Sequence, residues 1–502
     1  MTTQSISLSK SKLNAYHQCR KRLWLEVNRR DLLEVSAETQ RVFATGHQVG
    51  ALARREHDGG ILVAENVPWS EAAKQTEAAL AARPKRAVFE AAASHDDLYV
   101  RADLLIPVGG GFHLAEVKST GSVKDYHAAD VAAQTWVLRG AGIPVKSVEL
   151  RHINTSFVYR GKDDYDGLFA RGDVQADVEK LQPEVPKWVE DAKAVLGQAE
   201  PNVAMGTQCV EPHPCPFKQY CASLVEPGPK YPVTLLKGKK ALQLAERLAQ
   251  EGVVDLRDVP LARLGDDEKF RRIHRATKTG KAFVDPAARD EIAAWPYPRY
   301  YLDFETIMFA VPRWAGTRPF QQVPFQWSCQ IDRGDGTELD HVVFLDLTGN
   351  DPSRACAERL VTTLGTRGAV IAYNASFEKA VIGQLADRFP DRAKRLLAIS
   401  ERAVDLLPVV RKHYYHRDLQ GSFSMKAVLP TVAPDLDYAD LEEVQDGDGA
   451  QAAYLEAIRP ETTEDRRDDL AAKLLVYCER DTLGMIKVEE ALAGDAQEMS
   501  EA

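Results

Sequence analysis

The sequence predicts a mixed α/β protein with two α/β regions, and three observations support this fold class. Short strand-like runs alternate with amphipathic helical stretches from Ser9 to about Leu224, and again from Tyr300 to about Ala493. Proline-rich breaks fall at 227–232 and 295–301. A chain of 502 residues suffices for two or three domains. We therefore expect four segments: α/β domains at 1–224 and 296–493, a helical spacer at 225–295, and an acidic tail at 494–502.

Composition narrows the functional classes. The net charge of −10 excludes nucleic-acid binding by bulk charge, so any basic surface has to be local. No apolar run reaches the roughly 18 residues of a membrane span, and the N-terminus lacks the apolar core of a signal peptide. We expect a cytoplasmic protein without a membrane partner. Its seven cysteines are then unlikely to form a disulfide framework, and a cluster among them indicates metal.

The N-terminal region opens with an amphipathic helix, whose apolar residues recur at helical spacing: Leu13, Tyr16, Cys19, Leu23 and Trp24. Strands at 98–106 and 112–117 flank three consecutive glycines, which predicts a β-hairpin. A helix over 125–139 ends at Gly140, and a strand over 147–154 follows it.

The hairpin carries a first candidate site. Strand alternation places Glu116 and Lys118 on one face, and Asp103 on the paired strand could face the same point. Two carboxylates and an ammonium suit metal-assisted phosphodiester hydrolysis. The carboxylates would hold a hard divalent cation, and the lysine would orient the attacking water. The alternative is an ordinary solvated strand face.

Residues before and after the hairpin complete a pattern that resembles a known nuclease family. His47 lies in a helical segment before the hairpin, and Gln134 lies on the helix after it. The order His, Asp, Glu-x-Lys, Gln resembles the PD-(D/E)XK nucleases of the RecB-like group, as does the opening stretch SKSKLNAYHQCRKRLWLE. Leu138 stands where that group often has tyrosine. The resemblance implies a restriction-endonuclease-like domain, Mg²⁺ or Mn²⁺ on the two acids, and these catalytic residues: His47, Asp103, Glu116, Lys118 and Gln134.

Four cysteines form a second candidate site. Cys209, Cys215 and Cys221 lie within 13 residues, and Cys19 could be a fourth ligand. Four thiolates suit a 4Fe–4S cluster or a structural zinc, and the wide spacing favours the cluster; buried small hydrophobes are the alternative. The arrangement resembles iron–sulfur nucleases of the CRISPR-associated exonuclease and AddB types. That resemblance implies a structural cluster that ties the two ends of the domain together.

The C-terminal region carries a third constellation. Asp303 and Glu305 lie two apart on a predicted strand, so they share one face. Tyr477 and Asp481 lie four apart on one face of a predicted helix. Between them, IAYNASFEKAVI is typical of a strand running into a helix that carries Glu378. Hydrolysis with two metal ions needs several carboxylates to hold both ions. A solvated set of strand and helix ends is the alternative.

The ordered set Asp-x-Glu, Asn-x3-Glu and Tyr-x3-Asp resembles DEDD exonucleases of the ribonuclease H-like fold, of the type with a tyrosine. This resemblance implies that Tyr477 positions the attacking water and that four acids hold the metals: Asp303, Glu305, Glu378 and Asp481. Glu378 stands where the family usually has aspartate. Asp405 is either a substitute ligand or a structural acid. The stretch GSFSMKAVLP, 421–430, also resembles these exonucleases, in which it packs under the site.

Together the two halves resemble bacterial RecB-like nucleases fused to a ribonuclease H-like exonuclease domain. We expect a metal-dependent nuclease with two sites that acts on DNA ends or single strands, in repair, recombination or defence. An RNA-processing 3′–5′ exonuclease with only the C-terminal site is one alternative, and a non-catalytic nucleic-acid-binding scaffold is another. DNA is the expected partner over RNA, and the basic run 269–281 is a candidate backbone contact. A helicase or other repair protein as partner stays open.

Overall fold

The computed structural model describes residues 8–34 and 37–494, and its fold is mixed α/β. The chain divides into two compact units. Unit 1 comprises Met1–Glu226 and Phe309–Gln321, and unit 2 comprises Pro227–Met308 and Gln322–Ala502. Residues 227–295 group with unit 2, and the short segment 309–321 groups with unit 1. Apart from Gly494, the predicted tail lies outside the described residues. No helix in the described part of the chain is long and apolar enough to span a membrane.

Unit 1 is built on one mixed sheet with helices on its faces. Its strands are β1 Leu8–Ser9, β2 Ile61–Leu62, β3 Val88–His95, β4 Leu98–Val108, β5 Gly111–Lys118, β6 Val145–Ile153 and β7 Phe169–Asp173. Its helices are α1 Lys10–Gln18, α2 Arg20–Asn28, α3 Ala37–Arg55, α4 Trp69–Ala81, α5 Asp125–Gly140, α6 Gln175–Leu181, α7 Val185–Leu196 and α8 Lys218–Ser223. The strand order is β2-β3-β4-β5-β6-β7, with β1 parallel to the start of β4.

Both faces of this sheet are covered. Leu105 and Leu114 belong to the large core cluster that α5 completes, whereas their chain neighbours Leu104 and Ala115 belong to a second cluster with Ala53 of α3. Strand side chains alternate between faces, so neighbouring residues divide in this way. The predicted hairpin, helix and following strand are confirmed as β4–β5, α5 and β6, and β5 pairs parallel with β6.

The predicted opening helix is interrupted. It forms two helices, α1 and α2, because Cys19 between them adopts an extended conformation with φ −164° and ψ 124°. The Cys19 amide still donates to the carbonyl of Ala15. Apolar spacing alone did not reveal the break, since Leu13 and Leu23 are buried on either side of it.

Unit 2 contains a five-stranded sheet and a long C-terminal helix. Its strands are β8 Phe283–Val284, β9 Arg299–Ile307, β10 Val323–Asp332, β11 Asp340–Leu345, β12 Ala369–Ala372, β13 Ala403–Asp405 and β14 Tyr414–Tyr415. Its helices are α9 Lys239–Gln250, α10 Glu268–Thr279, α11 Ala287–Ala293, α12 Ser353–Thr363, α13 Ser376–Arg388, α14 Pro390–Glu401, α15 Leu406–His413, α16 Met425–Val432, α17 Gly447–Ala457 and α18 Glu464–Ala493. The strand order is β11-β10-β9-β12-β13, antiparallel from β11 to β9 and parallel from β9 to β13.

Alternation along β9 positions the candidate site of unit 2. Leu302 and Phe304 belong to the core cluster that also contains residues of α12, α13 and α14. Asp303 and Glu305 therefore face the opposite side of the sheet, against which α18 packs. A hydrogen bond of 2.9 Å between the hydroxyls of Ser328 on β10 and Thr482 on α18 fixes the helix on that face.

Candidate functional site

Three carboxylates of unit 2 converge in one place. Asp303 and Glu305 from β9 and Asp481 from α18 each offer an oxygen atom, and these oxygens lie within 4.8 Å of one another. They line a cavity of about 210 Å³, which we call the acid cavity. The remaining lining residues are Phe304, Tyr373, Met425, Tyr477 and Met485. The two ends of the constellation expected from the sequence thus meet, although 176 positions separate Glu305 from Asp481.

Neighbouring side chains hold this group in position. The Tyr438 hydroxyl donates a short hydrogen bond to Asp481 Oδ1, and Cys478 Sγ lies 3.8 Å from Asp303 Oδ2. Lys426 is exposed, and its Nζ lies 5.8 Å from the ring centre of Tyr438 and 5.9 Å from that of Tyr477. The acid cavity therefore has two buried tyrosines and one exposed cation beside its carboxylates.

Glu378 lies apart from these three acids, in the first turn of α13. Its carboxyl is buried, and Oε2 has no hydrogen-bond partner among residues 8–34 and 37–494. Burial, together with the charges of Asp405 and Asp481, raises the pKa of Glu378 to about 8. An orphaned buried carboxylate oxygen is costly unless it is protonated or binds a ligand.

The acids of the cavity have little compensating charge: the exposed Lys426 lowers the pKa of Glu305 and Asp481, but burial outweighs it. Among the described residues, no lysine or arginine forms an ion pair with Asp303, Glu305 or Asp481. Burial and the charge of Asp481 raise the pKa of Glu305 to about 8, and the pKa of Asp303 lies well above its usual range for the same reasons. Burial raises the pKa of Asp481 to about 6, against the opposing effect of the Tyr438 hydrogen bond. Oxygen donors that form no ion pair within the described part of the chain fit a hard divalent cation.

The predicted site of unit 1 also assembles, with a different charge balance. Glu116 Oε1 accepts hydrogen bonds from Lys118 at 2.8 Å and from Lys10 at 2.7 Å, and Oε2 accepts one from Gln134 at 2.6 Å. Asp103 Oδ2 accepts the Val117 amide at 2.7 Å. Both oxygens of Glu116 are thus already engaged by donors of the chain.

Lysines dominate the electrostatics of this cluster. Burial would raise the pKa of Glu116, but Lys10 and Lys118 outweigh it and hold that pKa below the usual range. Burial and the nearby Glu116 raise the pKa of Asp103 to about 8. The Lys118 ammonium also makes a short contact with Asp130. The carboxylates here are compensated by protein cations, in contrast to those of the acid cavity.

The structure does not bring His47 into this network. His47 is exposed on α3, and no hydrogen bond or ion pair joins it to the cluster within the described part of unit 1. Glu90 lies closer to the cluster and has a left-handed backbone, with φ 54°, which only a minority of non-glycine residues adopt. Burial raises the pKa of Glu90, and Arg54 lies 3.5 Å from its carboxylate.

The four cysteines line one cavity of unit 1, as the sequence predicted for Cys19 and the three later cysteines. Gln18 joins the chain segments, because its amide donates to the carbonyls of Gln208 at 2.8 Å and His213 at 2.7 Å. Within the described residues, no three cysteine sulfurs lie within 4.8 Å of one another. Zn–S bonds of 2.3 Å would require tetrahedral sulfurs about 3.8 Å apart, so the present spacing is wider than a zinc site needs.

Two comparisons with known proteins cover parts of this chain. A family model described as a domain of unknown function, DUF2779, matches residues 300–424. This span contains Asp303, Glu305 and Glu378, and it ends before Asp481. A Mycoplasma pneumoniae protein described as "Uncharacterized protein MG366 homolog" is 29% identical over 211 residues. The match covers 38% of this chain and 31% of that relative's own length. Neither description assigns an activity, so function has to be inferred from the sites.

Several residues of both sites were not predicted. Asp130 precedes Gln134 by one helical turn on α5, so the i, i+4 spacing could have indicated it. Lys426 lies within the quoted stretch 421–430, but nothing in that stretch marked it as a neighbour of the acids. Lys10 and Tyr438 had no local signal, because each reaches its carboxylate from a segment remote in sequence: 106 positions in one case and 43 in the other.

Asp405 has a structural role in this arrangement. Its Oδ1 accepts the amides of Leu407 at 3.0 Å and Asn374 at 2.9 Å, so it caps α15 and holds Asn374 in a left-handed conformation with φ 74°. It is not among the three acids whose oxygens converge.

We therefore expect Asp405→Ala to lower the free energy of unfolding by about 1 kcal/mol, whereas Asp405→Asn retains the cap and most of the stability. Urea unfolding of the two variants beside the wild type measures this difference. A metal-dependent activity that survives Asp405→Asn within a few-fold agrees with a capping role, and its complete loss would instead identify Asp405 as a ligand.

Proposed function

We propose that this protein is a metal-dependent nuclease and that the acid cavity of unit 2 is its main catalytic centre. One observation carries the proposal: three carboxylates, of which Glu305 is buried and Asp303 and Asp481 are half-buried, converge within 4.8 Å without an ion-pair partner among the described residues. Such a group is unfavourable by itself, since like charges raise one another's pKa, and it becomes favourable around divalent cations. The orphaned Glu378 oxygen fits the same explanation.

In this proposal, the residues of the acid cavity have different roles. Asp303, Glu305 and Asp481 hold Mg²⁺ or Mn²⁺, and Glu378 is the fourth carboxylate of the set. Bound metal ions supply the activation of water and the neutralisation of charge on a phosphoryl oxygen. Tyr477 lines the cavity, and its hydroxyl would orient a water molecule there. Tyr438 orients Asp481 through its hydrogen bond.

A phosphodiester of nucleic acid is the proposed substrate. The strand order β11-β10-β9-β12-β13, with antiparallel strands on one side and parallel strands on the other, supports a ribonuclease H-like arrangement for unit 2. DNA is favoured over RNA because the N-terminal half resembles RecB-like nucleases, whereas exonucleases of the kind that the C-terminal half resembles act on both polymers. Repair, recombination or defence would be the setting of such an activity.

Unit 1 is proposed as a second nuclease centre of the PD-(D/E)XK type. Asp103, Glu116 and Lys118 would carry it, with Gln134 orienting Glu116 through the 2.6 Å hydrogen bond. A metal ion on Glu116 would compete with Lys10 and Lys118, which already compensate its charge. This centre is therefore expected to need a higher metal concentration than the acid cavity.

The four cysteines are proposed to hold a 4Fe–4S cluster with a structural role. The four residues line one cavity of unit 1, which supports a common ligand, and four cysteines are the usual ligand set of this cluster. Gln18 and Trp24, which donate to carbonyls of the later segment, already join the two ends of unit 1. The cluster would reinforce those contacts.

Replacing Cys215 with serine is accordingly expected to remove iron from anaerobically purified protein. The melting temperature should fall by about 10 °C, because the metal-binding energy contributes directly to folding. Metal analysis and visible absorption measure the first effect, and thermal unfolding measures the second. Cys356→Ala, in the core of unit 2, is the control that should keep the iron. Stoichiometric zinc in the wild type, without iron, would replace the cluster with a structural zinc.

The nuclease proposal is tested by digestion of end-labelled single-stranded DNA, duplex DNA and matched RNA with Mg²⁺ or Mn²⁺. The wild type is compared with Glu116→Ala and Asp303→Ala. If each substitution removes a distinct share of DNA cleavage, both centres are active. Cleavage lost only with Asp303→Ala, on RNA as well as DNA, would limit activity to unit 2. Metal-independent binding without any cleavage would leave a scaffold.

A further inference from the structure

The exposed face of α10 is basic and largely unpaired. Residues 269–281 contain six basic and no acidic residues, in a chain whose net charge is −10. The helix buries Phe270 and Ile273 on one side, and Arg275 and Lys278 are exposed on the other. Lys281 follows the helix and is also exposed. Within the described part of unit 2, none of these three cations has a hydrogen bond or ion pair through its side chain.

The positive charge continues beyond the end of this helix. Gly280 ends α10 with φ 75°, and a Cβ added there would lie 2.8 Å from Nη1 of Arg417. The Arg417 guanidinium therefore packs directly against the end of the helix. Its Nε is buried and has no hydrogen-bond partner. Arg417 also lies 5.7 Å from the ring centre of Tyr231. A partly covered guanidinium with an unused donor adds to the charge of the helix face.

The segment from Arg417 to Lys426 extends this charge to the acid cavity. A Cβ added at Gly421 would lie 3.3 Å from Cε of Lys237, so this exposed lysine lies over the segment. At the end of the segment, exposed Lys426 lies 5.9 Å from the ring centre of Tyr477, which lines the acid cavity. Arg417, Lys237 and Lys426 therefore lie on or against the segment that leads from the end of α10 to the acid cavity. The exposed acid in this segment, Asp418, lies 3.6 Å from Lys230.

We propose that this surface, the basic track, binds the phosphate backbone of a single-stranded nucleic acid and guides it into the acid cavity. The basic track consists of Arg275, Lys278, Lys281, Arg417, Lys237 and Lys426. The claim that the basic track leads a strand to a catalytic site rests on the function proposed above. The claim that the basic track binds phosphates does not. Unpaired cations release bound counterions when they contact phosphates, which gives affinity without sequence preference.

A single strand fits this surface better than a duplex. Tyr373 lines the acid cavity and is partly exposed, and unpaired bases can stack on aromatic rings. A duplex keeps its bases paired and stacked, and extruding one costs a few kcal/mol. The basic track runs from the end of a helix along a loop. An elongated surface of this kind suits the extended phosphate backbone of a single strand.

Binding of a fluorescently labelled oligothymidylate to the full chain tests the basic track. Anisotropy is measured over a series of salt concentrations in chelator, so that no cleavage occurs. The test variant is Arg275→Gln/Lys278→Gln/Lys281→Gln. The control is Arg367→Gln/Lys394→Gln/Arg395→Gln, which removes three exposed charges of unit 2 that lie outside the track. Circular dichroism verifies that both variants fold.

The test variant should lower the slope of log affinity against log salt by about 2, since each contact to a single strand contributes about 0.7. The control should keep the wild-type slope. Equal reductions in both variants, or a reduction confined to a matched duplex, would overturn the proposal.

Hydrolysis of a small chromogenic ester of thymidine monophosphate by the wild type separates this proposal from the previous one. Such an ester reports on the acid cavity without reaching α10. Suppose that the ester is not hydrolysed with Mg²⁺ or Mn²⁺, but the test variant still lowers the slope of log affinity against log salt. The nuclease proposal then fails and the basic track stands. If the ester is hydrolysed and the slope is unchanged, the track fails and the nuclease proposal stands.

Discussion

Replacing Asp303 with asparagine is expected to reduce metal-dependent cleavage by the acid cavity about 1,000-fold or more. Asp303 shares the convergence point with Glu305 and Asp481, and its side chain faces α18 rather than the core. Asparagine keeps the shape but loses the negative charge that would hold a divalent cation. Metal-ion catalysis supplies several kcal/mol of transition-state stabilisation, and each 1.4 kcal/mol corresponds to a tenfold change in rate.

The measurement is single-turnover cleavage of labelled single-stranded DNA in Mg²⁺. Each substitution is introduced into the Glu116→Ala protein, in which the site of unit 1 is inactivated. Asp340→Asn is the matched control, because Asp340 is an exposed strand carboxylate of the same sheet that pairs with Arg333. It should retain the background activity. Full activity of Asp303→Asn would show that these carboxylates do not carry the reaction.

Without metal, the stability of the protein is expected to fall as the pH rises. The folded-state pKa is about 6 for Asp481 and about 8 for Glu305 and Glu378, whereas unfolded carboxyl groups titrate near 4. The folded protein therefore binds more protons than the unfolded chain between these values. Its stability is greatest below the unfolded pKa and is lost as pH rises through the folded pKa. Each group contributes up to about 1.4 kcal/mol per pH unit.

Divalent cations should reverse this trend. They compete with protons for the same oxygens, so their stabilising effect grows with pH. Urea unfolding from about pH 5 to pH 9, in chelator and in excess Mg²⁺, measures both slopes. Asp303→Asn should flatten the pH dependence in chelator, since it removes a carboxyl group whose own pKa lies well above the usual range. A stability in chelator that rises across this range would contradict the proposed origin of the pKa shifts.

The sequence was sufficient for the local elements because their signals are local. Alternation around the three glycines predicted β4 and β5, and the same period of two placed Glu116 beside Lys118 and Asp303 beside Glu305 on shared faces. The helical period likewise brought Tyr477 and Asp481 to one cavity.

What the sequence could not provide depends on contacts between distant segments. The break of the first helix at Cys19 has no local signal, because the apolar residues around it keep the spacing of a regular helix. Lys10 and Tyr438 reach carboxylates far along the chain, so no window of residues contains both partners. The lysines around Glu116 change its charge balance, and this distinguishes unit 1 from the acid cavity although the two acid patterns look equally suited to metal.

Metal-specific rescue of a sulfur-substituted substrate tests the central claim most directly. A single-stranded DNA with one phosphorothioate at the cleaved linkage is digested by the Glu116→Ala variant in Mg²⁺, and then in Mn²⁺ or Cd²⁺. If a metal ion held by Asp303, Glu305 and Asp481 contacts the scissile phosphate, sulfur blocks cleavage in Mg²⁺ and the softer ions restore it. Equal cleavage of both substrates in every metal, or cleavage that persists in chelator, would contradict metal-dependent hydrolysis in the acid cavity.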